Sequence, residues 1–298
     1  MLFPLDVESK TQQWTLHASE DPSQEAWHRH AKHILVYTVA GKPVFSRYGN
    51  DLELAPFTAT LLAITCVVID NNDVLQHLAT QDHTAVFLDK GPLQLCCIAQ
   101  TGEPPEVLQR QLEFVFHVIC SIVPLKTIQD IFDRSSGADF RTTIAGTFPL
   151  FKRSISYAGL SAGVLWNALD VCALAPAARA FATDVIQTAV TRVNAEMFAE
   201  NKDCIILALL LKDGKVIAYG KRAGMEFSAF DLHVLVCAVG GLAKDNVTQL
   251  FPVGLSDFNG PRRRAHPQQA SRSTSSRSSA STRSRSSSSA PTRCPSAT

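Results

Sequence analysis

Gly159-Leu160-Ser161-Ala162-Gly163 is the stretch whose residue types and spacing most directly suggest chemistry. It fits GxSxG, the turn that presents a nucleophilic serine in α/β-hydrolases. Asp170 or Asp184, and then His233, complete the chain order serine, acid, histidine. The chemistry would be acyl transfer through Ser161. That motif needs a strand before it and a helix directly after. Here Val164 to Leu174 follows and reads as an apolar strand, and no His-Gly-Gly-type oxyanion segment occurs. A Gly/Ser loop between domains is the simpler account, and a serine hydrolase is the alternative function. Gly41-Lys42 and Gly214-Lys215 invite a phosphate-loop reading, but both lack the upstream glycine and the following Ser/Thr. Both read as hairpin turns, so no bound nucleotide is expected. His28, His30 and His33 cluster beside Trp27. A zinc site draws its ligands from separated pairs, so these histidines read as solvated. Cys96 and Cys97 are adjacent in a strand and point to opposite faces, which argues against a redox pair. No catalytic residue, metal or cofactor is expected.

The elements that would position these groups follow from hydrophobic period and turn residues. Residues 1–31 are a polar lead-in. His33 to Val39 and Val44 to Tyr48 read as strands around an Ala40-Gly41-Lys42-Pro43 turn. Glu53 to Asp70 reads as a largely buried helix with Pro56 in its first turn, where a missing N–H costs little. Val74 to Thr80, Thr84 to Leu88 and Leu93 to Gln100 read as strands. Pro105 to Val123 is an amphipathic helix, with Leu108, Leu112, Val115, Phe116 and Ile119 on one face and Arg110, Gln111 and Glu113 opposite. Thr127 to Asp133 is a short helix. The second half offers a helix (Ala177 to Met197), a strand–turn–strand (Ile205 to Gly220), a helix (Ser228 to Leu242) and a strand (Gln249 to Gly254). Hairpins flanked by helices predict an α+β fold rather than a βαβ repeat. The two Gly-Lys hairpins suggest an internal duplication.

Composition separates a body from a tail. From Pro261 onward there are eight Arg and no Lys, Asp or Glu; removing those eight leaves 20 basic residues against 27 acidic ones, a net −7. A Ser/Arg tract without aromatic residues cannot bury a core and is expected to be disordered. It has no aromatic stacking platform, so nucleic acid is not an expected partner. Seven of the eight Cys sit in apolar runs and there is no CxxC, which reads as reduced thiols in the cytosol. The start, Met1-Leu2-Phe3-Pro4, lacks the basic region of a signal peptide. The longest apolar run, Phe57 to Ile69, is shorter than the roughly 18 residues of a membrane span. Any membrane contact is expected to be peripheral.

Lys32-His33-Ile34-Leu35-Val36-Tyr37-Thr38-Val39-Ala40-Gly41-Lys42-Pro43-Val44-Phe45-Ser46-Arg47-Tyr48-Gly49 resembles the opening signature of the Mon-one/SAND family. Asp139-Phe140-Arg141, Phe230-Asp231-Leu232-His233, and Phe251-Pro252-Val253 through Phe258-Asn259 resemble later family motifs, so the resemblance runs from about residue 27 to 259. It implies longin domains, antiparallel sheets flanked by helices: a first at residues 32–150 and a second, lacking its last strand, at 151–259. Residues 260–298 form the tail. The abrupt change after Asn259, where the family continues into a third longin domain, reads as a frameshift or an alternative splice form. The resemblance further implies one subunit of a heterodimeric guanine-nucleotide exchange factor. Its partner would be a Ccz-one-like longin protein and its target a late-endosomal Rab of the Ypt-seven/Rab-seven class. It would work at phosphoinositide-containing late-endosomal and vacuolar membrane, in endosome maturation and vacuole fusion. A longin adaptor without exchange activity is a further alternative.

Exchange needs no acid, base or nucleophile, so the site is expected to be a surface. The exit of the second strand, Arg47, Tyr48, Asn50 and Asp51, is the candidate Rab or partner interface, because Arg and Tyr commonly anchor interfaces.

Overall fold

In a computed structural model of the chain, residues 20–50, 53–135, 137–199, 204–239 and 254 are described. All belong to the unit that runs from Met1 to Phe258. A short helix α1 (Glu25–His28) leads into β1 (Lys32–Thr38) and β2 (Pro43–Ser46). Helix α2 (Ala55–Asp70) is followed by β3 (His77–Ala79), β4 (Thr84–Lys90) and β5 (Leu93–Ala99). Next come α3 (Pro105–Ile122), α4 (Leu125–Arg134), α5 (Phe140–Ile144), a 3₁₀ turn, α6 (Phe148–Leu160) and α7 (Ala162–Trp166). Helix α8 (Pro176–Ala199), the hairpin β6 (Leu207–Lys212) and β7 (Lys215–Lys221), and α9 (Ala229–Val239) complete the described elements.

Strands β1 to β5 form one antiparallel sheet in the order β2-β1-β5-β4-β3. Its centre is covered on both faces, which is why β1 is buried at every position. Alternation assigns the sides. Ile34 and Val36 of β1, Val86 and Leu88 of β4, and Leu95 and Cys97 of β5 share a core with Leu108, Leu112 and Val115 of α3. Leu35, Tyr37, Phe87 and Cys96 point the other way and meet Trp27, Leu54 and Leu61. Cys96 and Cys97 thus lie on opposite faces, as their adjacency predicts. The described cysteines are free thiols. Burial pushes the Cys97 thiol up to about 12 and raises Cys96 in the same direction.

Helix α2 has no charged residue before Asp70, and its buried Thr65 donates its hydroxyl to the Leu61 carbonyl (3.0 Å). The outer side carries Ile64 and Val67 exposed to solvent. Helix α3 departs from the simple two-faced expectation. Gln111, expected outside, is buried: it accepts from Lys32 Nζ (3.0 Å) and donates to Glu103 (2.9 Å), and Lys32 also pairs with Glu103. The reason is that α3 has neighbours on two sides. The sheet covers one flank, and α6, α7 and α9 cover another.

A further expectation is corrected. Val164 to Leu174 is not a strand. It is the short α7, a left-handed turn at Asn167 (φ 54°), and a single parallel bridge from Val171 to Val216. Arg110 of α3 holds that turn by donating to Asn167 Oδ1 and to the Val164 carbonyl (3.4 Å). The helix α6 was not foreseen, and it runs across residues 150 and 151. The Gln249 to Gly254 strand lies outside the described residues apart from Gly254, as does the Ser/Arg tract. Helix α8 lies against β7 so closely that a Cβ on Gly220 would meet Ile186 Cγ2 at 2.8 Å. Its Gln187 and Asn194 amides each bond a main-chain N–H and a C=O at the open end of the hairpin, on Lys221 and Ile205 respectively.

Among the described residues, no single helix is long and apolar enough to cross a membrane; α3 and α4 satisfy length and composition only as a pair bent by 80°.

Candidate functional site

Strand β2 ends at Ser46, and the chain leaves the sheet edge through Arg47, Tyr48, Gly49 and Asn50. The exit is pinned from several directions. Arg47 N–H continues the ladder to the Ile34 carbonyl (3.0 Å). The Tyr48 carbonyl accepts from Ser46 Oγ (2.6 Å) and from Trp27 Nε1 (3.2 Å). Gly49 has φ +82°, and a Cβ there would meet the Glu20 carbonyl at 2.9 Å. Only glycine fits that combination of left-handed backbone and close approach.

The exit sends successive side chains to different places. Tyr48 stacks flat on His30 (3.7 Å between centroids, 4° between planes), and His30 Nε2 bonds Glu20 (2.6 Å). Arg47, with Gly49 and Asn50, lines a depression of about 150 Å³. Its other walls are Phe45, Ser46, Arg141 of α5, and Phe148 and Lys152 of α6. The Arg47 guanidinium sits 5.2 Å from the Tyr48 ring centroid, and Arg141 sits 5.7 Å from that of Phe148. Burial pulls the Arg47 pKa down, and contact with Tyr48 opposes it. Three cations therefore line the depression, Arg47 from the β2 exit, Arg141 from α5 and Lys152 from α6. Sequence reasoning missed Arg141 and Lys152. Arg141 was within reach of it, since Asp139-Phe140-Arg141 carries part of the family resemblance. Asp51 lies outside the described residues.

The histidines of the lead-in do gather. His28, His30 and His33 line a second depression with Trp27, Phe57, His83, Ile98 and Gln100. His33 is buried with its ring tilted on Trp27 (3.9 Å); burial, and then the neighbouring His30, lower its pKa to about 4. His33 is therefore buried and His30 half-buried rather than solvated, whereas His28 is exposed as expected. Among the described residues no group of three His, Cys, Asp or Glu is placed to hold a metal ion.

The GxSxG residues also come together, but not as a hydrolase arranges them. Ser161 is the junction between α6 and α7, so a helix stands where the nucleophile turn needs a strand. Its hydroxyl donates to Asp170 Oδ2 (3.2 Å). His233 Nδ1 bonds the Tyr157 hydroxyl (2.8 Å), and His233 Nε2 is buried with no hydrogen-bond partner. Neither imidazole nitrogen is on Ser161, so His233 is not placed as its base. Gly163 has a structural reason of its own, because a Cβ would overlap the Ala168 carbonyl oxygen. Both Gly-Lys pairs are hairpin turns, with Gly41 and Gly214 at φ 75° and 73°.

Residues 32–153 match the family described as the first longin domain of FUZ, MON1 and HPS1. The match opens on the first residue of β1, ends inside α6, and so takes in the whole five-stranded sheet. The comparisons support a SAND/MON1 family assignment. A SAND protein of Takifugu rubripes is 25% identical over 241 residues, covering 80% of this chain and 44% of that protein. A vacuolar fusion protein MON1 homolog of Oryza sativa is 31% identical over 202 residues, covering 68% and 34%. The human vacuolar fusion protein MON1 homolog A is 23% identical over 246 residues, covering 82% and 36%. The chain thus spans about a third to just under half of these three relatives. The lead-in strands and the Ala-Gly-Lys-Pro turn of the family signature are the β1–β2 hairpin, and the following Arg47 to Asn50 form one wall of the basic depression.

Proposed function

We propose that this chain acts as a longin subunit of a heterodimeric guanine-nucleotide exchange factor for a late-endosomal or vacuolar Rab GTPase. Residues 32–150 would be its first longin domain and 151–259 a second. The partner is a Ccz-one-like longin protein, and the work is done at the surface of late endosomes and vacuoles without covalent chemistry. One observation carries this reading beyond the family: the outer side of α2. Helix α2 exposes Ile64 and Val67 (62% exposed), three residues apart on one side, with no charge beside them. Adjacent apolar side chains exposed on a helix mark an interaction face, and a second longin domain is the occupant the family relationship supplies. The pair would hold a Rab by the β2 exit, with Arg47, Tyr48, Asn50 and Asp51 at that contact. Exchange follows from differential affinity: a surface that binds the nucleotide-free Rab more tightly than the GDP form lowers the barrier to release.

The test is release of a fluorescent GDP from the late-endosomal Rab. The chain alone should leave the rate unchanged, and the chain with its partner should accelerate it. Val67→Glu should abolish pairing and acceleration together. Arg47→Glu should permit pairing but slow release, since a wrong charge at an interface costs up to several kcal/mol. A wild-type pair that forms but accelerates no Rab would overturn exchange and leave an adaptor.

A further inference from the structure

We infer that two copies of this chain associate by pairing β6 with β6, antiparallel, across a two-fold axis at Leu209. The β6–β7 hairpin is a sheet of two strands. A lone hairpin is marginal, and an open edge invites a further strand. The outer edge of β7 is taken at Val216. Its N–H donates to the Asp170 carbonyl (2.8 Å), and its carbonyl accepts from Cys172 N–H (2.9 Å). The other edge is β6, and no strand pairs with it among the described residues. Nothing in the side chains blunts that edge. Leu207-Ala208-Leu209-Leu210-Leu211 carries no charge and no proline.

The ladder determines which groups face outward. The Ile206 carbonyl accepts from Arg222 N–H (3.0 Å), so Ile206 turns its main-chain groups toward β7. Along an antiparallel strand this direction alternates. Leu207, Leu209 and Leu211 therefore turn both N–H and C=O away from β7, to the open edge. A second β6 laid with Leu209 opposite Leu209 matches that alternation. Leu209 meets its own copy and Leu207 meets Leu211, each as a hydrogen-bonded pair. The side chains match as well. Leucine stands opposite leucine on one face, and Ala208 stands opposite Leu210 on the other. The Lys212 ends of the two strands would lie about 20 Å apart at 3.4 Å per residue, so no like charges oppose each other.

The face that carries Leu207 and Leu209 has room for this. Helix α8 covers the other one, where Gly220, opposite Ala208, approaches Ile186. Tyr219, opposite Leu209, is 50% exposed. Because β7 is already taken at Val216, pairing closes at two copies instead of growing into a filament. The surface involves neither α2 nor the β2 exit, so it stands or falls apart from the exchange reading.

The experiment is sedimentation velocity of the whole chain across micromolar concentrations. Wild type should pass from monomer to dimer. Leu209→Lys sets two ammonium groups side by side at the axis and should weaken association by about tenfold or more. Leu209→Glu should do the same. An equimolar mixture of the two variants should restore the dimer, because residue 209 meets only residue 209. Phe181→Lys, at an exposed aromatic of α8, should leave association unchanged. Unchanged melting of each variant shows that folding is not the cause, and restoration in the mixture shows it independently. A wild-type chain that stays monomeric would overturn the inference and leave the edge to an extended segment of another protein. So would a dimer that survives Leu209→Lys, or a Lys/Glu mixture that stays monomeric.

Discussion

Gly163 and Gly159 occupy equivalent places in a five-residue motif, yet their surroundings differ. A Cβ on Gly163 would overlap the Ala168 carbonyl oxygen, whereas nothing lies within 4 Å of one on Gly159. Gly163→Ala should therefore cost about 2 kcal/mol or more, because backbone must move. Gly159→Ala, in the last turn of α6, should be neutral or stabilising by up to about 1 kcal/mol. Urea midpoints of the two variants check this, and equal midpoints would remove the structural account of the motif. Residue types alone could not separate the cases. They offered Ser161 with either Asp170 or Asp184 and His233; the fold puts Asp170 on Ser161, and His233 Nδ1 on the Tyr157 hydroxyl instead of the serine.

Period and turn chemistry made most elements of the first half legible. The strands β1, β2, β4 and β5 are short apolar runs bounded by turn residues, α3 repeats apolar residues at helical spacing, and the turn glycines stand at positive φ. What stayed illegible was α5 to α7, where short helices are set by tertiary contacts such as Arg110 on the α7 turn rather than by their own pattern. The basic depression was half legible for the same reason: Arg47 lies on a strand exit, but Arg141 and Lys152 reach it only through those helices. Helix α8 also shows little amphipathic pattern, because it fastens the hairpin with amides. Asn194 is buried and bonds both the N–H and the C=O of Ile205 (2.7 Å each). Asn194→Ala leaves both main-chain groups without that partner and should cost about 1–3 kcal/mol. Faster amide hydrogen exchange at Ile205 and along β6, with β1 and β5 unchanged, is the expected signature.

At the scale of the whole molecule, acid should destabilise the fold. His33 has its pKa lowered from 6.5 to about 4 by burial, then by His30. The unfolded chain then binds more protons than the folded one in that window. Its contribution is complete above pH 6.5 and is lost as pH falls toward 4, on the order of 3 kcal/mol. Glu103 acts in the same direction at lower pH. Burial would raise its pKa, but hydrogen bonds from Lys32, Thr101 and Gln111 outweigh that and hold it below the ordinary value of 4.5. Thermal midpoints should fall steadily below neutrality, and His33→Gln should flatten the part above pH 4.5. A profile as steep in that variant would exclude His33 as the cause.

Helix α3 ties the two halves of the chain in time as well as in space. Its Phe114 packs against Tyr157, Phe230 and His233, and its His117 bonds Asp231 (2.8 Å). All of these partners are translated after it. A ribosome adding about 5–20 residues per second needs on the order of ten seconds to pass from the end of α3 to the end of α9. Through that interval a nascent longin sheet already has its own strands paired while Phe114 faces water. That half-covered helix is where a chaperone would hold the growing chain.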